Sequence, residues 1–226
     1  MLDAAKVRGL RSGENPARWK GHLSALLASN VKKVEHFAAL PYADVPELMK
    51  ALEQKDSMSA LALRFAVLTA CRSNEVRAAR WSEIQGGLWT IPAERMKAKE
   101  THQVPLSSAA VTVLNSIPEL ARGEYIFALP RKKPMTDVAI SKALKCVIEV
   151  PATVHGLRST FRDWAGDCTN FQRELIEEAL AHKIGNAVER SYRRSKAIEK
   201  RRELMTAWAR YCSGEVGQVH FLQDRA

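Results

Sequence analysis

The sequence has no apolar run long enough to cross a membrane and no N-terminal export signal. A spanning helix needs about 20 apolar residues, but the most apolar stretch, Leu61–Cys71, is short and contains Arg64. Residues 1–6 lack the charged-then-apolar layout of a signal peptide. We therefore expect a soluble, intracellular protein.

Cysteine is scarce, and the cysteines that are present are far apart in the sequence. The four are Cys71, Cys146, Cys168 and Cys212. No C-x-x-C pair occurs, which argues against a structural zinc site and against a thioredoxin-type redox motif. They are typical of reduced thiols in a cytosol-like compartment.

Acidic residues are too few to balance the basic ones. Hydrophobic residues make up 46% and charged residues 27% of the 226 residues, which predicts one globular domain with or without an appendage. The 35 basic and 25 acidic residues give a net charge of +10. Such a surplus indicates a polyanionic partner, usually nucleic acid and sometimes a membrane surface. A basic surface without any partner remains the alternative.

The first 40 residues differ from the rest and look like an appendage. Met1–Val7 is typical of the end of a helix. Arg8–Lys20 is rich in glycine, proline and arginine, which is the composition of a linker.

The remainder predicts helices around a small sheet. Asp44 is a candidate N-cap, and Leu61, Phe65 and Leu68 recur at helical spacing. A second short helix is predicted at Asn74–Trp81. Helices are also predicted from Ser107 to Ile117, from Thr136 onward with Val138, Ser141, Leu144 and Val147 on one side, and over most of the last third.

Two short strands are predicted on either side of a basic connection. Leu88–Ile91 follows a Gly-Gly turn signal, and Gln103–Leu106 follows the basic stretch Arg95–Lys99. Together they predict a small antiparallel sheet. The fold class is therefore mainly α with a small antiparallel sheet (α+β).

Several polar side chains stand where a core helix would not need them. Taken singly they are ordinary, because an Arg–Glu pair is usually a surface salt bridge and a histidine at a helix end is usually a cap. In chain order they are Arg72 with Glu75, Lys97 with Lys99, His155 with Arg158, His182, and Tyr192 followed by Arg193 and Arg194.

Taken together, these segments resemble the tyrosine recombinases, or phage-type integrases. The resemblance rests on the order R…K…H-x-x-R…H…Y and extends over about residues 38–212. The segment from His182 to Glu189 and the ending Glu199–Trp208 are most similar to integrases of P4-type prophages and genomic islands. Cys71 and Ser73-Asn74 depart from the usual pattern but replace no candidate catalytic side chain.

The resemblance implies the catalytic-domain fold of DNA breaking–rejoining enzymes. It implies the end of a core-binding domain and a basic linker over residues 1–37. It further implies a catalytic domain over 38–212 and a tail over 213–226 that docks on a neighbouring protomer. The chain would then be a catalytic fragment of a longer recombinase.

The resemblance also implies partners and location. The expected partner is double-stranded DNA at attachment sites, bound by a homotetramer in the synapse, with a monomer when free and DNA-bending accessory proteins. No metal and no other cofactor is expected. The expected location is the bacterial cytoplasm, at the nucleoid when the protein is bound to DNA.

Roles follow from the same resemblance. Tyr192 would attack a DNA phosphate and form a 3′-phosphotyrosyl intermediate. Arg72, Arg158 and His182 would stabilise the charge on the phosphate oxygens, and His155 would relay the tyrosine proton. Lys97 would protonate the leaving 5′-oxygen, with Lys99 as the alternative, and Glu75 would orient Arg72.

Other basic residues are predicted to contact DNA phosphates, which positions a duplex but carries little sequence information. They are Arg8, Arg11, Arg18, Lys20, Lys99, Arg131, Lys132, Lys133, Arg193 and Arg194.

Three alternatives remain open at this point. A type IB topoisomerase would share the chemistry but relax DNA without exchanging partners. A decayed remnant would bind DNA without recombination. An RNA-binding protein, argued from charge alone, would leave the pattern of six candidate catalytic residues unexplained.

Overall fold

The computed structural model of the chain describes residues 1–27, 37–129, 133–182 and 194–215. The chain divides into two compact units, residues 1–36 and 37–226. Within the described residues, no helix is long and apolar enough to span a membrane.

The first unit is small and buries little. Helix α1, Leu2–Val7, is followed by irregular chain, as the composition predicts, then by a π-helical turn at Trp19–Leu23 and the short helix α2, Ser24–Leu26. Neither α1 nor the π turn has a buried residue. The candidate DNA contacts Arg8, Arg18 and Lys20 are exposed, and Arg11 is half-buried.

The second unit holds most of the secondary structure. Its helices are α3 (Val45–Glu53), α4 (Met58–Thr69), α5 (Ser73–Arg77), α6 (Ser108–Asn115), α7 (Asp137–Lys145), α8 (Gly156–Cys168), α9 (Arg173–Ala179) and α10 (Arg194–Cys212). Its strands are β1 (Ile84–Gln85), β2 (Leu88–Ile91), β3 (His102–Pro105), β4 (Ala128–Leu129) and β5 (Lys133–Pro134). Strands β1, β2 and β3 form one antiparallel sheet in that order, and β4 and β5 form a hairpin. The predicted class, helices with a small antiparallel sheet, is confirmed.

Helix α4 lies at the centre of the core because it is apolar on nearly every side. It packs against α3, α6, α7, α8 and α10. Phe65 is fully buried, with its ring 5.3 Å from that of Trp89 on β2 and 5.4 Å from that of Phe127. The predicted Leu61, Phe65 and Leu68 stripe is therefore core, although Leu61 is only partly buried.

One predicted helix cap is present and another is not. Ser107 accepts a hydrogen bond from the backbone N–H of Ala110 at 3.3 Å, as expected for an N-cap. Asp44 makes no side-chain cap, because a 3₁₀ turn at Tyr42–Asp44 runs directly into α3. Asp44 therefore has nearly helical backbone angles rather than the extended ones that an N-cap adopts.

The predicted helix at Asn74–Trp81 is too long. Helix α5 ends at Arg77, because the following backbone pairs elsewhere. The N–H of Ile126 donates to the carbonyl of Ala79 at 2.8 Å, and Arg80 forms a bridge with Tyr125. The chain then enters a 3₁₀ turn that leads to β1, a strand too short to predict.

One smaller prediction also needs correction. Val138 does not lie on the apolar side of α7, since it is 68% exposed while Ile140 and Leu144 are buried. Lys133, one of the candidate DNA contacts, pairs with Leu129 in the β4–β5 hairpin and is exposed there.

The first turn of helix α8, which carries Arg158, lies in close contact with the backbone of Ala38. A Cβ on Gly156 would lie 2.0 Å from the carbonyl oxygen of Ala38, and that oxygen already accepts the N–H of Thr153 at 3.0 Å. Only glycine fits there. Gly166 lies in the same helix, and a Cβ on it would meet nothing within 4 Å.

We expect Gly156→Ala to destabilise the second unit by roughly 1–3 kcal/mol, because the first turn of α8 must move away from Ala38. The matched variant Gly166→Ala should stabilise it by about 0.5–1 kcal/mol, because alanine restricts the unfolded chain. Urea denaturation followed by circular dichroism measures both. Equal stability of the two variants would contradict this account of α8.

Strand β3 carries a histidine that stays neutral. His102 is half-buried and lies beside the backbone of Ala179. Burial, and then the charges of Arg201 and Arg158, lowers the pKa of His102 to about 3. Arg201 is itself fixed over this strand, since its Nη1 donates to the carbonyl of Gln103 at 2.8 Å.

This histidine should make folding sensitive to acid. Its pKa is depressed in the folded state, so below an unfolded value of about 6.5 the unfolded chain binds the proton first. Its contribution to stability is therefore complete above about pH 6.5, and it falls by about 1.4 kcal/mol per pH unit as the pH approaches the folded pKa. Unfolding free energies between pH 7 and pH 4 should show a shallower decline in His102→Gln. The control variant His22→Gln, at an exposed histidine, should follow wild type. Parallel pH profiles of the unfolding free energy for wild type and both variants would refute the role given to His102.

Candidate active site

Arg72 is held at the junction of α4 and α5. Its backbone N–H donates to one carboxylate oxygen of Glu75 at 2.8 Å, and its Nη1 donates to the other at 2.9 Å. Glu75 is only 2% exposed, whereas the Arg72 side chain is 21% exposed. One buried carboxylate thus fixes both the backbone and the guanidinium of Arg72, and the rest of that guanidinium faces outward.

Arg158 lies deeper, on α8, and is 6% exposed. It donates through Nη1 to the carbonyl of Ala70, where α4 ends, and through Nη2 to the carbonyl of Leu180 at 2.5 Å, where α9 ends. Carbonyls at a helix C-terminus lack helical partners and carry partial negative charge. Burial, and next the charge of Arg72, lowers the pKa of Arg158 to about 10, so the group remains cationic at neutral pH.

His155 immediately precedes α8 and is exposed. Its ring contacts that of Phe37, with centroids 4.6 Å apart. Partial burial lowers the pKa of His155, and the charges of Arg158, Arg72, His182 and Lys97 lower it further. A neutral imidazole therefore stands beside a cluster of cations and can accept a proton.

His182 follows α9 and turns back toward it. Its Nδ1 lies 2.5 Å from a carboxylate oxygen of Glu177, a residue that is 8% exposed. The other carboxylate oxygen lies 2.7 Å from Nε of Arg162 on α8. The His182 side chain is 43% exposed, and its Nε2 has no hydrogen bond to another residue in the described part of the chain.

Lys97 lies on a turn that is tied to α5. The N–H of Lys99 donates to the carbonyl of Met96 at 3.1 Å, which places Lys97 at the exposed second position of a β-turn. Just before the turn, Arg95 pairs with Glu83 and donates to the backbone carbonyl of Glu75 at 3.2 Å. The turn is thereby fixed against the helix that orients Arg72.

Lys99 faces a different space. It lines a cavity of about 580 Å³ together with His102, His182 and Arg201. Lys97 does not line this cavity, and its charge is instead among the causes that lower the pKa of His155. Each lysine therefore has its own link to the candidate site, Lys97 through its charge at His155 and Lys99 through the cavity that it shares with His182.

The structure therefore brings together five of the six candidate catalytic residues, namely Arg72, Lys97, His155, Arg158 and His182, with Glu75 beside them. Tyr192 lies outside the described residues, as do Arg193, Arg131 and Lys132. Arg194 is the first residue of α10, and Lys133 is exposed on β5.

Four residues that contribute to the site were not identified from the sequence. Glu177, Arg162, Arg95 and His102 all contact the site or its supports, and no motif marks them. Glu177 is five positions before His182, a spacing that does not place two side chains on one face of a helix. Arg95 was noted only as part of a basic stretch.

The chemistry available here suits an anion with several oxygens. Two guanidiniums and an imidazole offer donors in fixed positions, and charge-assisted hydrogen bonds from such groups are strong. An ammonium and a neutral imidazole flank them as proton donor and proton acceptor. Such an arrangement suits phosphoryl transfer, because these side chains can neutralise the charge that develops on phosphate oxygens.

The comparison with known proteins agrees with this geometry. Residues 39–199, more than half of the chain, match the model of the phage integrase family. Prophage integrase IntA of Escherichia coli K12 is 38% identical over 73% of this chain and 42% of its own length. The integrase of Enterobacteria phage P4 is 31% identical over 81% of this chain and 47% of its own length. The chain thus spans about half the length of these curated relatives.

The fold has solved counterparts. A lambda integrase tetramer bound to a Holliday junction superposes with a TM-score of 0.58 at 22% identity, covering 82% of this chain and 56% of that one. The predicted DNA breaking–rejoining fold and the resemblance to P4-type integrases are both confirmed. The chain belongs to the phage integrase family of tyrosine recombinases.

Proposed function

We propose that this chain contains the catalytic domain of a site-specific DNA recombinase that integrates or excises mobile DNA. The observation that carries the proposal is the convergence of Arg72, Arg158, His155, His182 and Lys97, from separate segments, on one cationic site. The assigned catalytic domain covers residues 38–212. Residues 1–37 are assigned to the end of a core-binding domain and its linker.

The reaction exchanges one phosphodiester for another. The Tyr192 hydroxyl attacks the phosphorus, the new bond is P–O(Tyr), and the bond that breaks is P–O5′. The tyrosine proton passes to His155, and the leaving 5′-oxygen takes a proton from Lys97. A 5′-hydroxyl of another strand then reverses both steps. The covalent ester retains the bond energy, so no nucleotide triphosphate is needed.

The two arginines are suited to the non-bridging oxygens because neither needs to reorganise. A guanidinium has five N–H donors, and Arg158 uses Nη1 and Nη2 for the carbonyls of Ala70 and Leu180. The remaining donors of Arg158, with those of Arg72 that Glu75 leaves free, bind the phosphate. Their fixed positions stabilise charge as it develops in the transition state.

The proton transfers suit the electrostatics of the site. A general base near neutral pH must be unprotonated before it acts, and the lowered pKa of His155 keeps it so. A general acid must carry its proton to the leaving group, and Lys97 does so as an ammonium. Arg72 and Arg158 also favour the phenolate character of Tyr192, because nearby positive charge stabilises the anion.

The proposed partner is double-stranded DNA at attachment sites. The net charge of +10 supports it, and so does the DNA-bound lambda integrase tetramer of similar fold. We assign a monomer to the free chain and a tetramer to the synapse, with residues 213–226 docking on a neighbouring protomer and bending proteins as accessories. The assigned location is the cytoplasm, at the nucleoid when DNA is bound.

A covalent adduct with DNA is the expected product of the first step. Nicked suicide duplexes from a randomised pool should give a protein–DNA adduct on denaturing gels, because the cut strand is lost before resealing. Tyr192→Phe should reduce the adduct to background, since it lacks the nucleophilic oxygen. Tyr125→Phe, at a tyrosine that stacks with Arg80, should leave it unchanged.

An adduct that persists in Tyr192→Phe would overturn the assignment of the nucleophile. DNA binding with no adduct from wild type would favour the remnant hypothesis. Relaxation of supercoiled plasmid without joining of two recovered sites would favour a topoisomerase.

The general acid can be identified with the recovered DNA site. A 5′-bridging sulfur in the scissile phosphate leaves as a thiolate, whose conjugate acid has a pKa of about 8.5, so it needs no proton donor. The Lys97→Ala variant should cleave ordinary DNA about 10²–10⁴-fold more slowly than wild type. It should cleave the sulfur-containing DNA at nearly the wild-type rate. Lys99→Ala should cut both within a few-fold of wild type. The reverse pattern would assign the role to Lys99.

A further inference from the structure

Glu177 is a buried carboxylate on α9 to which the mechanism so far gives no role. It is 8% exposed and accepts contacts from His182 and Arg162. Burial acts to raise the pKa of Glu177, but the hydrogen bond with His182 and the charge of Arg162 outweigh it and hold that pKa below its usual range. Glu177 is therefore ionised at neutral pH. One of its oxygens contacts His182, and the other forms an ion pair with Arg162 but accepts no hydrogen bond of good geometry.

The contact with His182 depends on how α9 ends. The N–H of Ala181 donates to the carbonyl of Glu178 at 3.0 Å, and the N–H of His182 donates to the carbonyl of Glu177 at 2.9 Å. These two bonds are those of a Schellman motif, whose C′ residue has a left-handed backbone. Ala181 occupies that position with φ of 52°. Glu177 and His182 are thus joined twice, through the backbone and through their side chains.

The side-chain contact determines which ring nitrogen faces the site. A carboxylate accepts hydrogen bonds and cannot donate them, so the nitrogen that contacts it, Nδ1, carries hydrogen. The other nitrogen, Nε2, then lies on the side of the ring away from Glu177, where it can donate to a phosphate oxygen when the ring is cationic. On the other side of the carboxylate, Nε of Arg162 on α8 lies 2.7 Å from the second oxygen of Glu177 and forms an ion pair with it.

We infer that Glu177 is a positioning residue that acts on the DNA phosphate through His182. It fixes the orientation of the ring and keeps hydrogen on Nδ1, so that Nε2 is the nitrogen turned toward the phosphate. The inference rests on the proposed function, because it assumes that His182 donates to the scissile phosphate. Arg162 is the outer member of the same group. Glu178, the next residue on α9, is half-buried and makes no contact with the His182 ring in the described hydrogen bonds, so it supplies a matched control.

The first test measures the ring itself and does not depend on activity. In the protein labelled with ¹⁵N-histidine, wild-type His182 should carry hydrogen on Nδ1 when neutral, with the resonance assigned from His182→Gln. In Glu177→Ala the Nε2-protonated form should appear, because no carboxylate remains to hold Nδ1–H. Glu178→Ala should retain the wild-type form. An unchanged tautomer in Glu177→Ala would overturn the inference.

The second test asks whether Glu177 acts through His182 in single-turnover cleavage of a suicide duplex. Glu177→Ala should cleave about 10–100-fold more slowly, as is usual when the partner of a functional histidine is removed, with DNA affinity within twofold of wild type. Glu178→Ala should cleave at the wild-type rate. The double variant Glu177→Ala/His182→Ala should be no slower than His182→Ala alone, because the two residues form one unit.

Multiplying effects in the double variant would show that Glu177 acts independently of His182 and would overturn the inference. Thermal unfolding of each variant separates this result from loss of fold. The two failures are distinguishable, because a wild-type chain that forms no Tyr192 adduct refutes the proposed function, while the ring nitrogen measurement still decides whether Glu177 fixes His182.

Discussion

The site depends first on how the buried guanidinium of Arg158 is satisfied. A charge taken out of water costs several kcal/mol unless it finds partners, and Arg158 finds the carbonyls of Ala70 and Leu180. Both carbonyls end helices and would otherwise lack partners themselves. One side chain on α8 therefore closes the ends of α4 and α9. Because Arg72 follows the first end and His182 follows the second, the position of Arg158 sets the positions of both.

The same site holds several positive charges close together, which is unfavourable in the absence of an anion. Burial is the largest cause of the lowered pKa values of Arg158 and His155, and repulsion by the neighbouring cations lowers both further. Two buried carboxylates reduce this repulsion from the buried side of the site. Glu75 contacts Arg72, and Glu177 contacts His182. Neither carboxylate neutralises the open side. The cluster is thus prepared for a phosphate, and the binding of one would relieve repulsion that folding has already imposed.

The contacts between residues close in sequence could be predicted. The contacts that depend on a left-handed backbone residue or on pairing with a distant segment could not. The pairing of Arg72 with Glu75 follows from i, i+3 spacing at a helix start. The strands on either side of Lys97 follow from alternating apolar residues and glycine turns. By contrast, the contact of Glu177 with His182 requires a left-handed residue between them, and nothing in Leu180-Ala181-His182 indicates one. The end of α5 at Arg77 likewise depends on pairing with a segment far along the chain.

Backbone strain marks the same places. Among the described residues, the non-glycine residues with positive φ are Ala70, Lys99 and Ala181. That conformation costs an L-residue about 1–2 kcal/mol. None of the three is asparagine or aspartate, the non-glycine residues that tolerate it best. Each stands within two residues of a candidate catalytic group.

Such strain persists only where the surrounding structure determines it. At Ala70 the determinant is Arg158, which holds the strained residue's own carbonyl. At Ala181 it is the paired Glu177 and His182. The interactions that create the site are therefore also those that keep its backbone in a conformation the sequence does not favour.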